Sequence, residues 1–357
     1  NAAALPNAGG PGANMFVAGD VRANEQTGLI AVHTLMVREH NRLADQISAA
    51  NPQMSDENVY QRARKLVGAE IQAITYNEWL PALLGQHGLG SYSGYNPNVD
   101  ASMNTAFSTA AFRIGHTMLN DQLVRYNADG SDFAGGHLNL AQQFFNPSSV
   151  MAPGALDATF RGLARQQANE IDTQVIDGVR NLLFGGTDGR DLVALNIQRG
   201  RDHGVADYNT LRQAYGLPAV LSFADITSDP ALAAMLEAAY GDVGNIDPWI
   251  GLFSEDHLPG ASMGLTAAVM FNDQFARLRD GDRFFYLNDP SFTQGELAML
   301  SNLRLSDLIR LNSGATDVQD HVFFAVPTPG AVGMIAIAAT LGLRRRRSRF
   351  GVIEARA

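Results

Sequence analysis

The feature that most constrains the fold is the recurrence of apolar residues at helical spacing. Residues three, four or seven positions apart share one face of a helix. The first stretch with this spacing contains Leu29, Val32, Met36, Leu43 and Ile47. It predicts a helix over about 25–49, which Asn51-Pro52 would end.

A second helix is predicted to start after Ser55, because Ser55 can act as the N-cap while Asp56 and Glu57 favour the first turn electrostatically. We expect it to end near Pro81. Further helices are predicted at about 102–119, 156–184, 203–215, 230–240, 263–279, 293–303 and 306–313, the last with Ser306 before it and Gly314 after it. Few runs alternate with period two, so the predicted fold class is mainly α. No repeat or linker interrupts the chain, which predicts one domain at 15–322 after a flexible lead-in at 1–14.

Composition excludes several classes of function. Cysteine is absent, so the chain has no disulfide framework, zinc ribbon or cysteine nucleophile. Residues 1–343 carry 20 basic and 35 acidic residues, a net charge of −15. Non-specific nucleic-acid binding depends on Lys and Arg that neutralise phosphates. We therefore expect no nucleic-acid partner.

Both ends of the sequence have unusual compositions. The chain starts with Asn1 in an Ala/Gly/Pro/Asn-rich stretch that does not resemble a signal peptide, and we expect residue 1 to be an internal point of a longer precursor. The 21 residues 323–343 have no charge and precede Arg344–Arg347, a pattern close to a membrane span with a basic stop. The tail, 323–357, resembles bacterial PEP-CTERM sorting signals. This implies export to the cell envelope or beyond, with the tail contacting a membrane or sorting machinery; a buried terminal helix with a basic tail is the alternative.

Few polar clusters suggest chemistry by themselves. His33 and His40 are seven residues apart, whereas a metal pair prefers a spacing of three or four. The nine residues 196–204 contain amide, guanidinium, carboxylate and imidazole groups, for which a solvated turn is the simplest interpretation. No Gly-x-Ser-x-Gly or His-Glu-x-x-His sequence occurs, so serine-hydrolase and zinc-protease readings lack their usual motifs.

Five segments form an ordered set of motifs along the chain: Phe16–Gln26, His33–Ala44, Ala111–Thr117, Leu195–Gly204 and Leu278–Phe284. Together they resemble the animal-type haem peroxidases of the peroxidase–cyclooxygenase superfamily. The resemblance covers about 14–325. It implies a mainly helical haem peroxidase domain whose N-terminal part is absent, and oxidation of small donors or halides by hydrogen peroxide.

The resemblance also implies roles for individual residues. His116 matches the proximal histidine that ligates the iron of haem b, and Asn196 matches its amide partner, a contact of the kind that sets tautomer and basicity. Arg22 matches the distal arginine, whose charge stabilises the oxygen as the peroxide bond breaks. These three residues are the expected catalytic group.

Four further residues are implied to hold the cofactor. Glu25 matches the carboxylate that forms an ester with a haem methyl group, and it would share one side of a first helical turn with Arg22. Gln26 stands where one subgroup has a methionine bonded to a vinyl group, a link that glutamine cannot make. Arg113 and Arg199 match arginines beside the propionates.

Other parts of the motifs imply less. His33, His40 and His203 belong to them without an assigned role, and we expect buried structural hydrogen bonds. Cyclooxygenases and fatty-acid dioxygenases need a tyrosine three residues before the proximal histidine; here that position is Arg113, which favours peroxidase over dioxygenase.

The family's distal histidine and calcium loop lie upstream of the segment that matches Phe16. Either the sequence is a fragment of a full peroxidase, or the chain is a degenerate scaffold, for example a non-catalytic envelope or matrix protein. In both cases the chain alone is expected to bind haem poorly and to turn over little.

Overall fold

In a computed structural model, which describes residues 6–7, 14–183 and 190–325, the predicted first helix spans Thr27–Ala50 (α1). The predicted second helix begins at Asp56, with the Ser55 hydroxyl accepting from the backbone of Asn58. It continues as Asp56–Ile74 (α2), a π-helical turn at Thr75–Trp79 and Leu80–Leu84 (α3). The helical path therefore passes Pro81 and does not stop there, with Pro81 in the first turn of α3, where a missing N–H is tolerated.

The remaining elements confirm the mainly helical class. The other α-helices are Thr105–Thr109 (α4), Ser148–Met151 (α5), Ala155–Arg165 (α6), Asp177–Arg180 (α7), Leu192–Asp202 (α8), Tyr208–Ala214 (α9), Pro230–Tyr240 (α10), Pro248–Ser254 (α11), Leu265–Asp280 (α12), Gln294–Asn302 (α13) and Leu305–Asn312 (α14). Short 3-10 turns lie at Gly85–His87, Ala111–His116, Leu140–Gln142, Phe223–Asp225 and Val243–Asn245. Two antiparallel two-residue strands, Gln122–Leu123 (β1) and Leu138–Asn139 (β2), form a small ladder.

Several helix predictions are wrong in part. The helix predicted at 156–184 is divided into α6 and α7 by non-helical chain. The one predicted at 102–119 is a short α4 followed by the 3-10 turn Ala111–His116. Ser306 lies inside α14, where its buried hydroxyl donates to the carbonyl of Asp320, and it is Arg304 that caps the helix.

The core is built from several apolar clusters. The largest joins α3, α4, α11 and α12 around residues such as Phe107, Trp249 and Phe271. Another joins α1, α6 and α14, and a third packs α2 against the segment that precedes α13. The 3-10 turn Ala111–His116 contacts α4, α8, α11 and α12, so the turn that carries Arg113 and His116 is held on the largest cluster.

None of the helices formed by the described residues is long and apolar enough to cross a membrane. The predicted sorting tail is not tested by this result, because its sequence after Ala325 lies outside the described residues.

Candidate functional site

The turn that carries His116 is an irregular 3-10 segment. Phe112 (φ −78°, ψ 18°) and Arg113 (φ −99°, ψ 16°) depart from helical geometry, and the Thr117 hydroxyl donates to the carbonyl of Ile114 over 2.9 Å. Ile114 is buried, whereas Phe112 is 46% exposed. The irregular backbone fixes the turn on the core and leaves the His116 ring half-buried beside α8.

Asn196 meets His116 across 80 residues of sequence. The Asn196 side chain is 2% exposed on α8, and its Nδ2 atom lies 2.8 Å from His116 Nδ1. In this orientation the amide donates to Nδ1. A half-turn of the amide would instead place Oδ1 there to accept from Nδ1–H, and the two orientations differ only in which atom is assigned as nitrogen. The structure thus brings together the predicted proximal pair.

The surroundings of His116 keep its imidazole neutral. Burial lowers its pKa to about 4, with the positive charge of Arg113 acting in the same direction and the Asn196 hydrogen bond opposing them. Within the described residues, Nε2 of His116 makes no hydrogen bond. A neutral imidazole with one free nitrogen is the form that binds a metal ion.

Arginine charges gather beside this histidine. Burial lowers the pKa of Arg113, and the charges of Arg199 and Arg22 lower it further, so both of these arginines lie close enough to repel the Arg113 guanidinium. Arg113 Nε donates to the carbonyl of Ser108 over 3.1 Å. In the part of the chain that the structure describes, no carboxylate pairs with Arg113 or Arg199. The site therefore carries positive charge that an anionic group could neutralise.

Arg22 lies in a turn before α1, not in the first helical turn as expected. Its guanidinium donates to both carboxylate oxygens of Asp20, at 3.0 Å (Nε to Oδ1) and 2.7 Å (Nη2 to Oδ2), and the Arg22 side chain is 70% exposed. Hydrogen bonding with Asp20 raises the pKa of Arg22. Asp20 lies in the segment Phe16–Gln26, but no role was predicted for it; its position two residues before Arg22 was the available signal.

Glu25 is half-buried in the same turn, where its backbone N–H donates to the carbonyl of Arg22 over 2.8 Å. Burial raises the pKa of Glu25, although the Arg22 charge opposes this. Gln26 follows as the N-cap of α1, with its side chain accepting from the backbone of Gly28. In this structure Gln26 thus serves as a cap, a role that the sequence analysis did not consider.

The other motif histidines differ from expectation. His33 and His203 are exposed, so the prediction that they are buried is wrong. His203 Nδ1 lies 3.0 Å from the carbonyl of Arg199, at the end of α8. Only His40 is partly buried, with its ring 5.1 Å from that of Tyr60.

Comparisons with known proteins identify the family. Residues 3–323 match the sequence profile of the family described as animal haem peroxidase. The peroxidasin homolog of Mus musculus is 40% identical over 327 residues, which cover 88% of this chain and 22% of the relative. The chain therefore spans about a fifth of that relative's length.

Solved structures show the same fold. Peroxidase A from Dictyostelium discoideum superposes with a TM-score of 0.79 at 36% identity, covering 89% of this chain and 64% of that chain. A fatty acid alpha-dioxygenase from Oryza sativa superposes with a TM-score of 0.68 at 21% identity, covering 81% of this chain and 55% of that chain. At that identity the second likeness concerns the fold alone.

Proposed function

The chain belongs to the animal haem peroxidase family, and on that premise we propose that it is the haem-binding part of a peroxidase that uses hydrogen peroxide to oxidise small donors or halides. One observation carries the proposal: the neutral, half-buried His116 imidazole lies 2.8 Å from the buried Asn196 amide, beside arginines without carboxylate partners. These groups fit a haem, which needs an axial nitrogen and countercharges for its propionates.

His116 would supply Nε2 to the iron of haem b, while Asn196 holds the opposite nitrogen. For this the amide must present Oδ1 to Nδ1–H, since the ring must donate at Nδ1 to keep its lone pair on Nε2. An amide is a weaker acceptor than a carboxylate, so the ligand remains less basic than in a carboxylate–histidine pair. Haem, when bound, supplies the two-electron chemistry with peroxide.

Arg113 and Arg199 would pair with the propionates and thereby remove their mutual repulsion. Arg22 would present fixed positive charge to the peroxide oxygen that becomes negative, provided that its guanidinium turns from Asp20 toward the haem face. Glu25 would form the ester to the porphyrin, and its raised pKa reflects the burial that such contact requires.

Proton transfer is the step of the proposed reaction for which no described residue has an assigned role as the base. A positioned base that moves the peroxide proton contributes a factor of about 10²–10⁴. His33 is exposed and carries no assigned role, although it lies near enough to Asp20 to lower the pKa of that carboxyl slightly. We therefore propose that the residues of this chain by themselves support only weak turnover, because none of them matches the family's distal histidine or calcium site.

Two alternatives have less support. A fatty-acid dioxygenase would need a phenol at the position of Arg113, and the similarity to the rice enzyme concerns the fold alone. A non-catalytic envelope protein would keep the fold without binding haem. Export to the envelope or beyond, with the 323–357 tail at a membrane or sorting machinery, is supported by the sequence of that tail only.

Haem titration of the full chain tests the proposed function. We expect weak haem binding, with a Soret band that saturates only at high haem concentration. The band should disappear in His116→Ala and persist in the matched control His203→Ala, since His203 is exposed at the end of α8. Peroxide-dependent oxidation of guaiacol should likewise be lost in His116→Ala and retained in His203→Ala. It should be stronger in a chain extended upstream of residue 1. A folded, extended chain without a Soret band would support the scaffold alternative instead.

A further inference from the structure

A cavity of about 320 Å³ is lined on one side by residues 88–92. None of its lining residues belongs to the His116 site. Its wall is mainly aromatic and aliphatic, with Tyr76, Leu80, Tyr92, Phe285, Tyr286 and Leu287. A volume of this size lies at the lower end of the range for small-molecule sites, and apolar walls with few polar groups are typical of them. The cavity is therefore of the right size and character for a small, flat molecule.

The one cation in the wall is already compensated. Arg279 Nε donates to Asp280 Oδ1 over 2.7 Å, and its Nη1 donates to the carbonyl of Gly90 over 2.8 Å. Its guanidinium also lies 5.5 Å from the ring of Tyr92. Because Asp280 neutralises the Arg279 guanidinium and Gly90 accepts one of its hydrogen bonds, the cavity favours a neutral ligand over an anion.

The three tyrosine hydroxyls of the wall differ in their hydrogen bonding. Tyr76 donates to the carbonyl of Phe275 over 2.9 Å, and Tyr286 accepts from Asn77 over 3.2 Å. The hydroxyl of Tyr92 has no accessible surface and makes no hydrogen bond within the described residues, so the ring must turn toward the cavity before the hydroxyl can contact a ligand there. A buried hydroxyl without a partner costs free energy, so a ligand with a hydroxyl group would gain by pairing with it.

Aromatic rings in contact connect the cavity to the His116 turn. The ring centroid of Tyr76 lies 6.0 Å from that of Phe275, Phe275 lies 5.7 Å from Trp79, and Trp79 lies 6.2 Å from Phe112. Phe112 precedes His116 by four residues in the same turn. Tyr76 and Trp79, whose rings can be oxidised, both stand on the π-helical turn between α2 and α3, a feature frequent at functional sites.

We propose that this cavity binds a small neutral phenol, the electron donor of the reaction, at a distance from the haem face. The assignment rests on the proposed peroxidase function. Each phenol would lose one electron and its hydroxyl proton; the electron would restore the site that hydrogen peroxide has oxidised, and the proton would enter solvent. Two phenols balance one peroxide.

Binding of p-cresol to the full chain without haem tests this site, by ligand-observed saturation-transfer NMR. Leu287→Trp should block the cavity and abolish the transfer, whereas Leu221→Trp, at an 87% exposed position outside it, should leave it unchanged. Tyr92→Phe should weaken binding about threefold to tenfold, the effect of one hydrogen bond. Matching thermal unfolding curves would show that the variants are folded.

A second titration, with haem at saturation, separates this site from the haem face. We expect unchanged p-cresol binding. Displacement of p-cresol by haem, no transfer in the wild type, or equal transfer in Leu287→Trp and Leu221→Trp would each overturn the inference and leave the proposed function standing. If the chain binds p-cresol in the cavity but takes up no haem, the inference that the cavity binds a phenol stands and the proposed peroxidase function is refuted.

Discussion

Glu39 and Glu70 place their carboxyl groups against each other between α1 and α2, and both side chains are buried. Glu39 accepts two hydrogen bonds from Arg42 and one from Asn312. Burial, and next the charge of Glu39, raise the pKa of Glu70 to about 8. Burial also raises the pKa of Glu39, but the hydrogen bonds from Arg42 and Asn312 outweigh it and hold that pKa below its usual value. One guanidinium therefore faces two carboxyls that share one proton.

This pair predicts how stability depends on pH. Because the pKa of Glu70 is higher in the folded than in the unfolded chain, its contribution is complete below about pH 4.5 and is lost as the pH rises through about 8. We expect Glu70→Gln to raise the free energy of unfolding at pH 9 by about 1–3 kcal/mol relative to the wild type, and to change it little at pH 5.

Urea unfolding at both pH values measures this effect. Glu237→Gln, on an exposed position of α10, is the matched control and should shift neither curve. An equal response of the two variants at pH 9 would show that the pKa of Glu70 is not raised in the folded chain.

Two helical glycines should respond oppositely to alanine. A Cβ atom at Gly162 in α6 would lie 1.7 Å from the carbonyl oxygen of Val124, whereas one at Gly68 in α2 would have no atom within 4 Å. We expect Gly162→Ala to destabilise the chain by more than about 2 kcal/mol, because the backbone must move. Gly68→Ala should stabilise it by about 0.5–1 kcal/mol through helix propensity. Thermal unfolding of both variants decides this, and similar melting temperatures would contradict the close α6 contact.

Helices with local signals were predictable from sequence. The Ser55 cap predicts a helix start that the structure has at Asp56, and the helices predicted at about 230–240 and 293–303 lie at Pro230–Tyr240 and Gln294–Asn302. Helix α8 has a local start signal, since the Asp191 carboxylate accepts from the backbone of Val193 and Ala194. It has no apolar stripe, because its only buried residues are Asn196 and Gly200. A helix that buries an amide and a glycine has no hydrophobic stripe. The apolar spacing therefore did not predict α8, the helix that carries Asn196.

A buried ion pair supports the elements behind the His116 turn. Arg212 Nη1 lies 2.8 Å from Glu255 Oε1, and Glu255 also accepts from Tyr208 and from the backbone and hydroxyl of Thr266. Arg212→Met should cost about 3–5 kcal/mol, because it leaves the Glu255 charge buried without its partner.

A double-mutant cycle isolates that penalty. Arg212→Met combined with Glu255→Gln removes both charges, and we expect it to recover at least about 1 kcal/mol of the loss measured by urea unfolding. Arg180→Met, which breaks an exposed pair with Asp177, is the control and should cost less than about 1 kcal/mol. Strict additivity of the two substitutions would mean that Arg212 acts through packing alone.

The site was predictable only through resemblance. His116 and Asn196 are separated by 80 residues, and no spacing rule joins them; motif order did so. The ion pair of Asp20 with Arg22 and the cap made by Gln26 were missed, because a carried-over role assigns one task to each residue and says nothing of its partners before the cofactor binds.

The Asn196 contact predicts a titration that needs no haem. Burial lowers the pKa of His116 to about 4, so its imidazole should stay neutral at pH 6. Asn196→Asp places a negative charge beside Nδ1, and an opposite charge at this distance favours the protonated ring. We expect the His116 titration midpoint to rise by about 1–3 pH units, as measured by two-dimensional ¹H–¹⁵N NMR of the imidazole.

Asn196→Leu is the matched control for that experiment, since it removes the hydrogen bond without adding charge. The Asn196 hydrogen bond raises the pKa of His116, so its loss should lower the midpoint or leave it unchanged. If Asn196→Asp and Asn196→Leu titrate alike, the side chain at 196 does not reach His116 in solution. If only the aspartate raises the midpoint, the same variant should bind haem with a more basic axial ligand and a more negative reduction potential, because a carboxylate partner increases the electron donation of the imidazole.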